Sequence, residues 1–99
     1  MSEVKVYAHQ IAKFILDNFH LGEDIVVIDR VIEAYQLTEE EVNDRDEITD
    51  KRFLDVRIGL AVNHLSRYKL IENITESNGK TTIRLTKKGF SKRTHDYSV

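Results

Sequence analysis

The side chains with the clearest chemical use lie in residues 51–68, where hydrogen-bonding groups share one side of a predicted helix. Asn63 and Arg67 are four residues apart, so they point to the same helical face. Their forked donors match the edges of adenine and guanine in the DNA major groove, which is wide enough to admit a helix. We therefore predict that Asn63, Ser66 and Arg67 contact bases.

Basic residues flank this segment on both sides in the sequence. Each Lys or Arg that neutralises a phosphate releases counterions, which makes DNA binding dependent on salt. Such contacts position a protein on the duplex without reading its sequence. The predicted phosphate contacts are Lys51, Arg52, Lys80, Arg84, Lys87 and Lys88.

Catalytic chemistry has little support in the residue types present. The chain has four His and no Cys, and no two His have the i, i+4 spacing of a helical zinc pair. Asp44 and Asp46 resemble the start of a calcium loop, but the glycine and the closing glutamate of that pattern are missing. We therefore expect no enzymatic activity, no metal and no cofactor, and we expect a solvated acidic loop at residues 42–50.

Length and composition limit the class of protein. A chain of 99 residues suffices for one small domain, which we place at residues 1–90, followed by a flexible tail or linker at 91–99. The absence of Cys is typical of a reducing compartment. No stretch resembles a signal peptide or a membrane span. The expectation is a cytoplasmic protein without a membrane partner.

Charge is distributed unevenly, although the net charge is only −2. Residues 1–50 contain four basic and thirteen acidic side chains, whereas residues 51–99 contain eleven basic and four acidic ones. A molecule of this polarity can direct its basic half at a polyanion. Alternatively, the two halves pair with each other through exposed salt bridges, which contribute little stability individually.

Residues 51–68 are predicted to form one amphipathic helix, because apolar side chains recur there at steps of three and four. Thr49 or Asp50 is the expected N-cap. Gly59 in the middle of this helix costs about 1 kcal/mol relative to Ala. We therefore expect a close approach at Gly59 by another backbone, a helix or DNA. The predicted core stripe consists of Leu54, Ile58, Ala61, Leu65 and Tyr68.

Residues 70–86 are predicted to form a wing of two strands that follows this helix. The runs 70–75 and 81–86 are rich in β-branched residues, and Asn78-Gly79 between them is a preferred hairpin turn. Thr86 is the expected cap of a short helical turn, which Gly89 is expected to end.

The first half of the chain is predicted to supply further helices. Ser2 is the expected N-cap of a helix at residues 3–19. Residues 25–27 are predicted to form a short strand beside the wing, with a helix at 28–36, although one continuous helix from Asp24 also fits. Thr38 and Glu41 have capping-box spacing. Together the elements predict an α+β winged helix-turn-helix with three or four helices and a small two- or three-stranded antiparallel wing sheet.

Three stretches resemble the N-terminal domain of Mrr-type restriction endonucleases, which is a winged helix. They are L-T-E-E-E at 37–41, R-I-G-L-A at 57–61 and L-T-K-K-G at 85–89. The resemblance implies a double-stranded DNA-binding module, either the targeting domain of a restriction system or a stand-alone transcription regulator, and it does not imply cleavage. Arg57 matches the family's Arg, and we expect it to bridge to an acid such as Glu41.

A protein-interaction module is the alternative to a DNA-binding one. Val56, Leu60 and Val62 lie outside the predicted core stripe. In that position they suit a protein partner or a homodimer surface as well as they suit thymine methyl groups. The sequence leaves both partners open and favours duplex DNA.

Overall fold

The computed structural model describes residues 4–77 and 80–92, the side chains of 75–77 excepted. This part of the chain is α+β, as predicted, with one three-stranded antiparallel sheet and five helices, more than the three or four predicted. The helices are α1 (Ala8–Asn18), α2 (Val27–Tyr35), α3 (Glu39–Asn43), α4 (Phe53–Arg67) and α5 (Lys87–Ser91). The strands are β1 (Ile25–Val26), β2 (Ile71–Ser77) and β3 (Lys80–Leu85).

The sheet has the order β1-β3-β2, so the second strand of the hairpin lies in the centre. Ile25 of β1 is opposite Ile83, and Ile71 of β2 is opposite Leu85. The predicted short strand is therefore confirmed, and the alternative of one helix from Asp24 is wrong. The predicted turn at 78–79 lies outside the described residues.

The core lies between one face of the sheet and the helices. Fully buried side chains come from α1, from α4 and from the inner face of the sheet, and α1 packs directly against α4. The largest of them are Ile11, Ile15, Leu16, Ile25, Leu54, Leu65 and Ile83. The opposite face of the sheet is left for polar side chains, because residues alternate between the two faces of a strand.

Helix α1 begins at Ala8, five residues later than the hydrophobic periodicity predicted. Val4 and Val6 are buried, with exposures of 0% and 5%, on a segment that is not helical. Gln10 accepts a hydrogen bond from the backbone N–H of Tyr7 at 2.8 Å and so satisfies a donor at the start of the helix. The predicted cap Ser2 lies outside the described residues.

Arg57 binds the segment before α1, which is not helical. Its guanidinium donates hydrogen bonds to the backbone carbonyls of Val4 and Val6. The same group lies over the ring of Tyr7, 4.6 Å from its centroid. Arg57 thus has a structural role, as expected, in contact with backbone carbonyls and with the rings of Tyr7 and Phe53. The bridge to Glu41 stays a prediction.

Two helix starts agree with their sequence signals. Glu41 donates its backbone N–H to the Thr38 hydroxyl at 3.2 Å, and its carboxylate accepts from the Thr38 N–H at 2.9 Å. The Thr86 hydroxyl accepts from the N–H of Gly89 at 3.0 Å. However, Gly89 lies within α5 and does not end it, so the chain is helical as far as Ser91, the first residue of the predicted tail. Residues 93–99 of that tail lie outside the described residues.

The predicted N-cap of α4 is wrong. Arg52 precedes the helix, and the N–H of Phe53 donates to the carbonyl of Asp44 at 3.0 Å. The predicted solvated loop at 42–50 is only partly confirmed, because residues 42–43 belong to α3 and Asp44 is buried. The rest of the loop is closed by its own backbone, because Asp46 donates its N–H to the carbonyl of Lys51 at 2.9 Å. Asp50 takes a left-handed conformation with φ of 58° in that closure.

Candidate functional site

One side of helix α4 faces solvent along the helix. The helix has 15 residues and is about 22 Å long at 1.5 Å per residue. The opposite side is fixed in the core against α1 and the sheet. We call the exposed side the outer stripe. Its residues are Asp55, Val56, Gly59, Leu60, Asn63, His64 and Arg67.

The structure brings two of the three predicted base readers together. Asn63 and Arg67 are both exposed and lie one turn apart on the outer stripe. Ser66 is half-buried at the flank of the helix. Its backbone carbonyl accepts from the N–H of Lys69 at 3.0 Å, in the turn that ends α4.

Two assignments within the helix need correction. Tyr68 is 54% exposed at the C-cap, because its ring turns away from the core towards His64, with 5.1 Å between the ring centroids. Val62 is only 8% exposed, so it belongs to the core and not to a partner surface. Of the predicted interaction trio, Val56 and Leu60 remain on the outer stripe.

A group of exposed basic residues lies where α4 ends and α5 begins. The Thr86 hydroxyl donates to the carbonyl of Lys69 at 2.8 Å, which places the first residues of α5 beside the end of α4. Among the described residues, no carboxylate forms an ion pair with any member of the group. We call it the basic edge. Its members are Arg67, Lys69, Lys87 and Lys88.

The two predicted wing contacts have acidic partners. Lys80 lies 3.0 Å from the carboxylate of Asp29 in α2, and Arg84 forms a hydrogen bond with Asp24 just before β1. The hydrogen bond that Arg84 donates to Asp24 raises the pKa of Arg84, and the neighbouring charge of Glu72 acts in the same direction. These acids would compete with a phosphate for the wing cations.

The N-terminal end of α4 also holds two predicted phosphate contacts. Arg52 makes a two-point contact with Asp55, with distances of 2.8 Å and 3.1 Å from its guanidinium nitrogens to the two carboxylate oxygens. That hydrogen bonding raises the pKa of Arg52. Lys51 is exposed and forms no ion pair with the other described residues.

Lys69 is a member of the basic edge that the sequence analysis missed. It follows the helix end with φ of 59°, a left-handed conformation that a non-glycine residue rarely adopts. Its proximity to Lys87 and Lys88 depends on the hydrogen bond from Thr86, a contact between residues 17 positions apart. Its charge was visible in the sequence, but its neighbours were not.

Leu60 separates two grooves on the surface around α4. One groove, of about 520 Å³, lies towards α1 and is lined by Tyr7, His9, Arg57 and His64. The other, of about 530 Å³, lies towards the loop before α4 and is lined by Lys51, Arg52, Val56 and Gly59. Leu60 borders both, so its side chain, 57% exposed, forms a ridge between them.

The described residues contain neither a metal-binding cluster nor a membrane-spanning helix. No group of three or more His, Asp or Glu residues there is arranged to hold a metal ion. None of the described helices has the length and apolar character that crossing a bilayer requires.

Comparison with protein-family models, with curated proteins and with solved structures finds no match to this chain.

Proposed function

We propose that this chain is a winged helix-turn-helix module that binds duplex DNA through the outer stripe of α4 and the basic edge. The observation that carries the proposal is that some of its cations are paired with carboxylates, whereas others are not. Arg67, Lys69, Lys87 and Lys88 are exposed without a carboxylate partner among the described residues, and they lie at one end of an open helical face.

The dimensions of α4 suit the proposed partner. Its outer stripe runs from Asp55 to Arg67, about 18 Å at 1.5 Å per residue, and the DNA major groove, about 12 Å wide, admits one helix. Asn63 and Arg67 would face the base edges. Lys69, Lys87 and Lys88 would lie along the phosphates of one strand, because they continue from the end of the helix.

The order of elements supports the same proposal. Three helices, α2 to α4, are followed by a hairpin whose second strand pairs with β1. This is the order of secondary-structure elements in a winged helix. The stretches that resemble Mrr-type N-terminal domains lie at the start of α3, in α4 and at the start of α5. We take from the resemblance a DNA-binding role and no cleavage.

A salt-dependent titration tests the proposal. A labelled duplex of mixed sequence is titrated with the whole chain at two salt concentrations and followed by fluorescence anisotropy. Affinity should fall steeply with salt, and Arg67→Ala should weaken binding about tenfold or more, the usual loss for a base contact. Arg30→Ala is the matched control, since Arg30 of α2 forms ion pairs with Glu23 and Glu33. Absence of salt-dependent binding by the wild type would reject the proposal.

A protein partner is the second candidate function, and one observation favours it. Leu60 is 57% exposed and Val56 is 41% exposed on a helix whose other side is fully packed. Such a face also suits a second copy of the chain or another protein. Leu60→Glu in sedimentation velocity tests this: a wild-type dimer that the variant dissociates would favour the interaction function over the DNA-binding one.

A further inference from the structure

The middle of the outer stripe is apolar, whereas its ends are polar or charged. Val56, Gly59 and Leu60 occupy the centre, with Asn63 one turn further on. The one acid of the stripe, Asp55, is bound by Arg52 in a two-point contact. A partner that meets the centre of this helix therefore meets methyl groups and one amide.

Gly59 extends the opening at this centre. A Cβ built on Gly59 would have no atom within 4 Å outside its own helix, so no neighbour in the described fold requires glycine there. Glycine nevertheless costs about 1 kcal/mol relative to Ala in a helix. The close approach expected from the sequence is thus not met within the fold, and the position is left open to a partner.

Leu60 projects from this surface as the ridge between the two grooves. The groove on the side of the α4 N-terminus is lined by three cations and two acids, in which Arg45 pairs with Asp50 and Arg52 with Asp55. Lys51 is the lining cation that has no ion-pair partner among the described residues, and the basic edge lies at the other end of the helix. An apolar ridge between cations is complementary in charge to a groove between two phosphate backbones. Duplex DNA therefore suits this face better than an apolar partner does.

The base edges of the major groove distinguish between partners for these side chains. Thymine alone among the four bases presents a C5 methyl group there, and apolar side chains contact that methyl. Adenine, its pairing partner, presents an acceptor and a donor that match the amide of Asn. No unpaired carboxylate lies among the described residues of the outer stripe to accept from cytosine.

We infer that α4 reads thymine through its C5 methyl group, with Leu60 and Val56 contacting the methyl and Asn63 the adenine. The inference rests on the proposed function and specifies its substrate class as duplex DNA with A·T pairs at the centre of the site. Arg67 and the basic edge then act at the rim and contribute affinity without this preference.

Replacing thymine by deoxyuridine tests the inference, because it removes only the methyl group. A duplex that the wild type binds is prepared with thymine and with deoxyuridine, and both are titrated with the whole chain. Each lost methyl contact should weaken wild-type binding about three- to fourfold. Leu60→Ala should bind the thymine duplex more weakly than the wild type does and should distinguish the two duplexes less. Leu60→Ala combined with Val56→Ala should bind both duplexes equally.

Leu21→Ala is the matched control variant, since Leu21 is 47% exposed and lies between α1 and β1, away from α4. It should retain the wild-type preference for thymine. Equal wild-type affinity for both duplexes would overturn the inference and leave the proposed function intact. Failure to bind any duplex would reject both, and a wild-type dimer that Leu60→Ala dissociates would assign the face to a second copy of the chain.

Discussion

The basic residues of the wing and those of the basic edge belong to the same half of the sequence but have different surroundings. Lys80 and Arg84 extend from the central strand β3 and meet Asp29 and Asp24, which follow and precede β1. Lys87 and Lys88 begin α5, where the described chain offers them no carboxylate. The strand order thus decides which cations are neutralised.

This contrast changes how the charge pattern of the sequence is to be interpreted. The two sequence-based alternatives, a polyanion partner and pairing between the halves, concern different cations. Pairing holds for the wing, where Asp24 hydrogen-bonds Arg84 and raises its pKa. The cations of the basic edge have no carboxylate partner among the described residues, so they are available to a polyanion. Counting charges by segment therefore overestimates the surface that is free to bind phosphate.

The largest expected effect comes from removing the three lysines of the basic edge. Lys69→Ala, Lys87→Ala and Lys88→Ala combined should lower affinity for duplex DNA on the order of a hundredfold at moderate salt, and reduce the salt slope by about three. Anisotropy titrations at several salt concentrations measure both quantities. Lys80→Ala with Arg84→Ala is the comparison variant and should lose threefold or less. Equal losses in the two variants would erase the distinction between the two groups of cations.

Gly89→Ala should have the next largest effect, because Gly89 holds α5 against the end of α4. A Cβ there would lie 1.9 Å from the carbonyl oxygen of Leu70, a backbone atom that cannot move away cheaply. We expect a loss of about 2–3 kcal/mol in the free energy of unfolding, measured by urea denaturation. Gly59→Ala is the control: with open space around it, that variant should gain up to about 1 kcal/mol. A stable Gly89→Ala variant would show that α5 is not fixed where the basic edge requires it.

The two glycines show what sequence reasoning can and cannot supply. Both glycines stand out in the sequence as residues that tend to interrupt regular secondary structure, and Gly59 was correctly placed inside a helix. The steric need at Gly89 depends on the carbonyl of Leu70, which lies 19 positions earlier and approaches only after the hairpin has formed. Local patterns therefore located the elements, whereas the contacts between elements required the fold.

The same limit applies to the candidate site. Helical periodicity correctly placed Asn63 and Arg67 on one exposed face, because that relation is local. The partners of Arg84 and Lys80 are 60 and 51 positions away and depend on β1 lying beside β3. The start of α1 was missed for the same reason, since Arg57 holds residues 4–6 from a distance of more than fifty positions.

Arg57→Ala should lower stability by about 2 kcal/mol, the cost of removing a charged donor from two backbone carbonyls. This cation represents a third use, since it binds backbone carbonyls of the segment before α1. Urea denaturation measures the loss, and DNA affinity per folded molecule should stay within a factor of about three of wild type. Arg45→Ala, an exposed arginine in the loop before α4, is the control and should change stability little. A large loss of affinity by a folded Arg57→Ala variant would instead place Arg57 in the DNA interface.

The smallest expected effect is a gain of affinity when the wing cations are released. Asp24→Asn with Asp29→Asn keeps the shape of both side chains but removes the charges that hold Arg84 and Lys80. Affinity for duplex DNA should rise about threefold, with a steeper salt slope, because the freed cations add phosphate contacts.

Glu23→Gln with Glu33→Gln removes the same amount of charge beside Arg30 and frees no wing cation, so it corrects for the overall loss of negative charge. A gain confined to the Asp24/Asp29 variant would mean that the wing reaches the duplex and is restrained by its own domain. An equal gain in both variants would mean that the wing lies away from the DNA, which would leave the basic edge and the outer stripe of α4 as the whole interface.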